Sequence, residues 1–179
     1  LIWAARGGHA STTKMLLEKG SDIEAVGLGG MRAVHHVCNN ISNEHLAVLE
    51  VLVAGSVDLN AIDEAGNAPL HYAACRGNLN IVLNLLANAA DVRCRNAAGQ
   101  TPLHKSAAAG HLSIMRTILE SGSDVNLQDN TGTTPLHAAL GHPKCVELLL
   151  QAPGIKINTV ESTIGRTPLG SAASIGELE

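Results

Sequence analysis

Nine histidines and four cysteines are the side chains of this 179-residue chain best suited to hold a metal or attack a substrate. Spacing decides whether they can. A structural zinc site wants Cys or His ligands in close pairs, and a catalytic thiol wants a base arranged beside it. Cys38, Cys75, Cys94 and Cys145 form no CxxC pair and show no disulfide-like spacing. That pattern speaks for a reducing compartment. The histidines fall into two registers. His35, His71, His104 and His137 each follow an apolar residue in "AVH" or "PLH", and His9, His45, His111 and His142 stand in or near "GH". Only His36 lies outside both. Such regularity predicts hydrogen-bonding spacers rather than ligands, so no metal, cofactor or catalytic residue is assigned. "GLGG" at 27–30 lacks the third glycine of a phosphate loop and reads as a turn. "NIS" at 40–42 matches a glycosylation acceptor, which a reducing compartment would leave unused.

The histidine registers belong to a longer rhythm. Leu1, Val34, Leu70, Leu103, Leu136 and Leu169 recur at intervals of 33, 36, 33, 33 and 33 residues, and Gly30, Gly66, Gly99, Gly132 and Gly165 each stand four residues before an anchor. A fixed period of this length is the mark of a stacked array. The composition agrees: 45% of residues are hydrophobic, yet there is one Trp, one Tyr and no Phe, which suits thin layers of Ala, Leu, Val and Ile.

Each unit has a physical reading. In "TPLH" at 101–104, Thr101 caps a helix and Pro102 takes its first position, where a missing N–H costs nothing. A short Ala-rich helix follows, and a turn near "GH" ends it. A second helix puts Ile114, Met115, Ile118 and Leu119 on one face. Gly20, Gly122 and Gly154 supply helix stops in their units, while Ser56 and Ala89 hold that place in the second and third. The second unit reads "RAVH" at 32–35, without Thr or Pro, so its first helix is expected to be the least well capped.

These residues resemble the ankyrin repeat family: "TPLH" at 101–104 and 134–137, "APLH" at 68–71, "TPLG" at 167–170 and "DVN" at 124–126. The resemblance covers essentially the whole chain and implies an all-α ankyrin-repeat solenoid of stacked antiparallel helix pairs with β-hairpin-like finger loops. The units are approximately 1–26, 27–62, 63–95, 96–128, 129–161 and 162–179. The first lacks its capping start and the sixth most of its second helix. More repeats or a cap are therefore expected beyond both ends, making this a fragment of a longer chain, cytoplasmic or nuclear. The resemblance also implies protein binding rather than catalysis, and a pattern for asparaginyl hydroxylation at Asn126.

The position two beyond each anchor holds Trp3, His36, Tyr72, Lys105, Ala138 and Ser171. The chain's single Trp and single Tyr share this ladder, which the resemblance places on the first helices beside a concave groove. Gap filling between helices is one reading; anchoring a docked segment is the other. Residues 33–64 carry five acids and no Lys or Arg, whereas 65–116 carry five bases and one acid. Arg76, Arg95 and Lys105 lie in this basic band, which would favour an acidic or phosphorylated peptide. The candidate partner-binding residues are thus Trp3, His36, Tyr72, Arg76, Arg95 and Lys105. A net charge of −4 argues against nucleic acid. No apolar run is long enough to insert in a membrane, and a monomer is expected. The competing reading is a structural spacer without a dedicated ligand, to which the small neutral residues Ala97, Ala98, Ala108 and Ala109, expected on the finger side, lend support.

Overall fold

A computed structural model describes residues 1–175 of the chain. Positions 176–179, with which the sixth unit was expected to end, lie outside the described residues. Six first helices form one row: α1 (Ile2–Arg6), α3 (Ala33–Cys38), α5 (Pro69–Arg76), α7 (Pro102–Ala108), α9 (Pro135–Ala138) and α11 (Pro168–Ile175). Five second helices form another: α2 (Ala10–Glu18), α4 (Glu44–Ala54), α6 (Leu79–Ala87), α8 (Leu112–Glu120) and α10 (Pro143–Leu150). Each helix packs on its pair within the unit and on the equivalent helices of the adjoining units. That nearest-neighbour pattern is a solenoid.

Thin layers work because the inner row is lined with small side chains. Ala33, Ala73, Ala74, Ala107 and Ala139 are fully or almost fully buried, and they let neighbouring helices approach closely. The longer side chains fill the space between the two rows: Leu49, Leu52, Ile81, Leu85, Ile114, Met115, Ile118 and Leu149. The anchors Val34, Leu70, Leu103 and Leu136 are buried with them, but Leu169 is 66% exposed.

Helix starts follow the residues. Pro occupies the first turn of α5, α7 and α9. Thr101 and Thr134 accept the N–H groups of His104 and His137 at 3.5 and 3.4 Å. Arg32 offers α3 no such acceptor, and α3 has no Pro either. Ala68 also offers none, although α5 keeps its proline. α9 runs only four residues, one turn, because the "ALGH" stretch gives it two residues fewer before the next helix.

The fingers are the hairpin-like loops expected, built from turns. Among the described residues they contain turns and no β-strand. Two N–H to C=O bonds close each of the three middle fingers: Asp63 to Asn67 and Gly66 to Asp63, Asn96 to Gln100 and Gly99 to Asn96, Asp129 to Thr133 and Gly132 to Asp129. Asp63, Asn96 and Asp129 then each accept two further backbone N–H groups through Oδ1, so the side chain does work that a second strand bond would do. Successive fingers join through Glu64 N–H to Gly29 O, Ala97 N–H to Ala65 O, Asn130 N–H to Ala98 O and Ser162 N–H to Thr131 O. This close approach explains the fingertip glycines. A Cβ on Gly66 would stand 2.6 Å from the amide nitrogen of Ala97, and Gly66 also has φ +73°.

Candidate partner-binding surface

Most of the histidine chemistry is used inside the array. In the first register, Nδ1 accepts the N–H of the residue capping its own helix: Arg32 to His35, Ala68 to His71, Thr101 to His104 and Thr134 to His137. The opposite nitrogen, Nε2, donates forward, from His71, His104 and His137 to the Gln100, Thr133 and Arg166 carbonyls of the next unit and from His35 to Ala61 near the end of its own, 2.9 to 3.3 Å away. In the second register, Nε2 of His45, His111 and His142 donates backward to the carbonyls of Arg6, Cys75 and Ala108. Asn78 stands where the third unit lacks a histidine, and its amide reaches back to the Asn40 carbonyl. One file thus ties units forward and the other ties them back.

Burial lowers the pKa of His35, His71 and His104 below the ordinary value, against their carbonyl bonds, which act the other way. They are neutral at pH 7, as the Nδ1 acceptor role requires. Among the described residues no group of three His, Cys, Asp or Glu could hold a metal ion. A Cys–His pair does occur, unseen in the sequence: Cys94 Sγ lies 3.7 Å from His71 Nδ1. Burial pushes the Cys94 thiol up to about 12, and both nitrogens of His71 already serve the backbone. Cys38 and Cys145 are buried, and burial raises both thiols.

The ladder is uneven. Trp3 is 79% exposed, with the Arg6 guanidinium over its ring at 5.4 Å. Trp3, Arg6, His36 and the fully accessible Leu28 (97% exposed) line one cavity of about 450 Å³. Burial lowers the pKa of His36, and nearby Arg6 and His35 add to the effect. Tyr72 is different. Its hydroxyl donates to Asp63 Oδ2, its ring meets His35 edge-on at 6.1 Å, and only part of it faces solvent. Burial, followed by the Asp63 contact, pushes its phenol up to about 12. Burial works against the Asp63 charge, yet the Tyr72 hydroxyl and the Asn67 and Ala65 N–H groups hold its pKa below the usual carboxylate value. Lys105 is half-buried on the same ladder.

The arginines of the basic band are not gathered in one place. Arg76 Nε donates to Asn39 Oδ1 at 2.7 Å, at the inter-helix turns. Arg95 donates to the Gln128 carbonyl at 2.9 Å and lines a second cavity with Arg93, a residue the sequence reading counted but did not single out.

Other motifs settle into the frame. "GLGG" forms a fingertip turn, with Gly29 and Gly30 at φ +70° and +74°. The inserted "NNISNEH" loop is held by Arg76 at Asn39 and by Asn78 at Asn40. Asn126 bonds the following unit with its whole amide: Nδ2 donates to the Gly154 carbonyl and Oδ1 accepts the Lys156 N–H. Ala97 and Ala98 lie on a finger, but Ala108 and Ala109 end an inner helix at the opposite edge.

Comparison with known proteins agrees with this architecture. A family profile described as "Ankyrin repeats (3 copies)" matches residues 1–96 and 77–161. Over 83 residues the chain is 31% identical to an ankyrin repeat and KH domain-containing protein of Caenorhabditis briggsae, a stretch covering 46% of this chain and 3% of that protein. With family profiles spanning residues 1–161 and helix pairs stacked as described, the chain belongs to the ankyrin repeat family.

Proposed function

We propose that this chain is a protein-interaction module that receives a partner segment along the first-helix ladder and the fingers, as a regulatory or scaffold part of a larger intracellular protein. Ankyrin repeats are generally protein–protein interaction modules. The observation that carries the reading is Trp3: the chain's one tryptophan, left 79% exposed beside Leu28 at 97%, the two most exposed of the large apolar side chains. Aromatic side chains at the mouth of a groove are the usual anchors of interfaces. Because the array is held by bonds between every pair of units, little ordering cost falls on the repeat side when a partner docks. Four free cysteines fit a reducing compartment, cytoplasm or nucleus.

Trp3 is also the chain's only tryptophan, so its fluorescence reports on this groove alone. The test is to isolate cross-linked partners with the wild-type chain, then titrate each purified partner while following Trp3 emission. A blue shift with the wild type, and at least about tenfold weaker binding by Trp3→Ala/Lys105→Glu with unchanged circular dichroism, is expected. Full affinity in that variant would remove the ladder as the site.

The spacer reading has one observation in its favour. Ala97 and Ala98 leave two adjoining fingertip positions small and neutral, as a purely connecting rod would allow.

A further inference from the structure

We propose that the cleft where Arg93 and Arg95 of the third unit face the Gly122–Asp124 turn of the fourth is a phosphate-binding subsite that seizes a phosphorylated side chain of a partner peptide. The proposal rests on the interaction-module reading and adds a ligand chemistry and a second place of contact, away from the Trp3 groove.

Arg93 sits in the turn that the Cys94 N–H to Asp91 O bond closes after α6, and Arg95 follows it two residues on toward the fingertip. They line one cavity of about 410 Å³ together with Ser123 and Asp124. Each is steadied by one bond to the following unit: Arg93 Nε donates to the Gly122 carbonyl at 3.3 Å, and an Arg95 terminal nitrogen donates to the Gln128 carbonyl at 2.9 Å. A guanidinium has five N–H donors, so most of each fork stays available. Among the described residues the one ion pair joins Arg32 and Glu24, and neither Arg93 nor Arg95 has a carboxylate partner.

Two acids stand close. Asp91 Oδ1 accepts the Arg93 N–H and Asp124 Oδ1 accepts the Asn126 N–H. Both are turned into their own loops by these bonds, which keeps them from closing on the guanidiniums. Their charges repel any anion, a dianion more than a monoanion, so the ligand must offset that repulsion through the number of bonds it makes to the two forks. A phosphate monoester carries about −1.5 to −2 charges and three acceptor oxygens, enough to use two forks at once, whereas a carboxylate satisfies one. Arg76, tied to Asn39 at the other edge of the unit, cannot share the same anion.

The test is fluorescence anisotropy at low salt with a labelled Gly-Gly-phosphoserine-Gly-Gly peptide, its unphosphorylated form and a glutamate form, with inorganic phosphate as competitor. Arg93→Gln, Arg95→Gln, the double variant and Arg76→Gln are compared. The phosphopeptide should bind at least about tenfold tighter than the other two. The double variant should lose that preference and Arg76→Gln should keep it. Equal binding of all three peptides overturns the proposal. So does a preference that survives the double variant, or inorganic phosphate competing as strongly as the phosphopeptide. If the preference is absent while partner capture still depends on Trp3, the phosphate subsite fails and the interaction module stands.

Discussion

Ala89 and Ser56 occupy the left-handed region at φ +64° and +63°, where other units place Gly20, Gly122 and Gly154 at +73° to +89°. A Cβ in that conformation crowds the following carbonyl at a cost of roughly 1–2 kcal/mol. Part of that cost is offset by the smaller entropy these residues lose on folding. Both side chains are exposed, so nothing but the backbone is at stake. Ala89→Gly and Ser56→Gly should therefore each raise stability by about 0.5–1 kcal/mol. Chemical denaturation shows it as a higher midpoint at unchanged slope; a lower midpoint in both variants would mean the turns are held by something other than backbone preference. The position was legible in the sequence because a stop glycine recurs in register, and its two exceptions could be named from spacing alone. The partners of individual side chains were not legible. Tyr72 could be read as a gap filler or as an anchor, and nothing in its spacing showed that its hydroxyl goes to Asp63, a contact set by where the finger folds over the helix.

At the scale of the helix, the four PLH-type histidines matter more than the hydroxyl caps. Where Thr is missing, in α3 and α5, the His35 and His71 rings still accept the cap N–H, and their far nitrogens still reach Ala61 at the end of the second unit and Gln100 in the fourth. The weak cap expected for "RAVH" is thus partly made good by a residue four letters along the same motif. This arrangement predicts acid sensitivity. Burial depresses the pKa of His35, His71 and His104 from 6.5, so the unfolded chain binds more protons between about 6.5 and the folded values. Stability from these groups is complete above about 6.5 and is lost as pH falls through that window. Each can contribute a slope of at most about 1.4 kcal/mol per pH unit. The surroundings pull both ways: Asp63 raises His35 and His71 while Arg32 and Lys105 lower them, and Asp129 and Arg95 act oppositely on His104. Urea unfolding at about pH 7.5 and about pH 5.5 should give a clearly lower midpoint at the acid value. Equal midpoints would show that the rings are not held neutral by folding.

For the whole molecule, what matters is how strongly one unit feels the next. Repetition made the solenoid readable, since the same turn, cap and anchor requirements are written once per unit. It said less about coupling, which depends on backbone atoms of adjoining fingers meeting at van der Waals limits. Two glycines separate the effects. Gly99 and Gly154 have nearly the same φ, +77° and +73°, but their surroundings differ. A Cβ on Gly154 would meet nothing within 4 Å, whereas one on Gly99 would lie 2.9 Å from the amide nitrogen of Asn130 and 2.8 Å from an Arg95 nitrogen. Gly154→Ala should then cost only the backbone term, roughly 1–2 kcal/mol, with the unfolding slope unchanged. Gly99→Ala must also push the fifth unit's finger away from the fourth's, straining the Asn130 N–H to Ala98 O bond. In an array whose stability is a sum of unit and nearest-neighbour terms, weakening one junction uncouples the units on either side. The expected result is a larger loss of stability together with a shallower or two-step transition, because less surface is exposed in each step. Comparing urea transitions of the two variants by circular dichroism decides it. If Gly99→Ala unfolds in one step with the wild-type slope, the finger ladder does not carry the coupling, which then rests on the helix packing between units and the histidine ties.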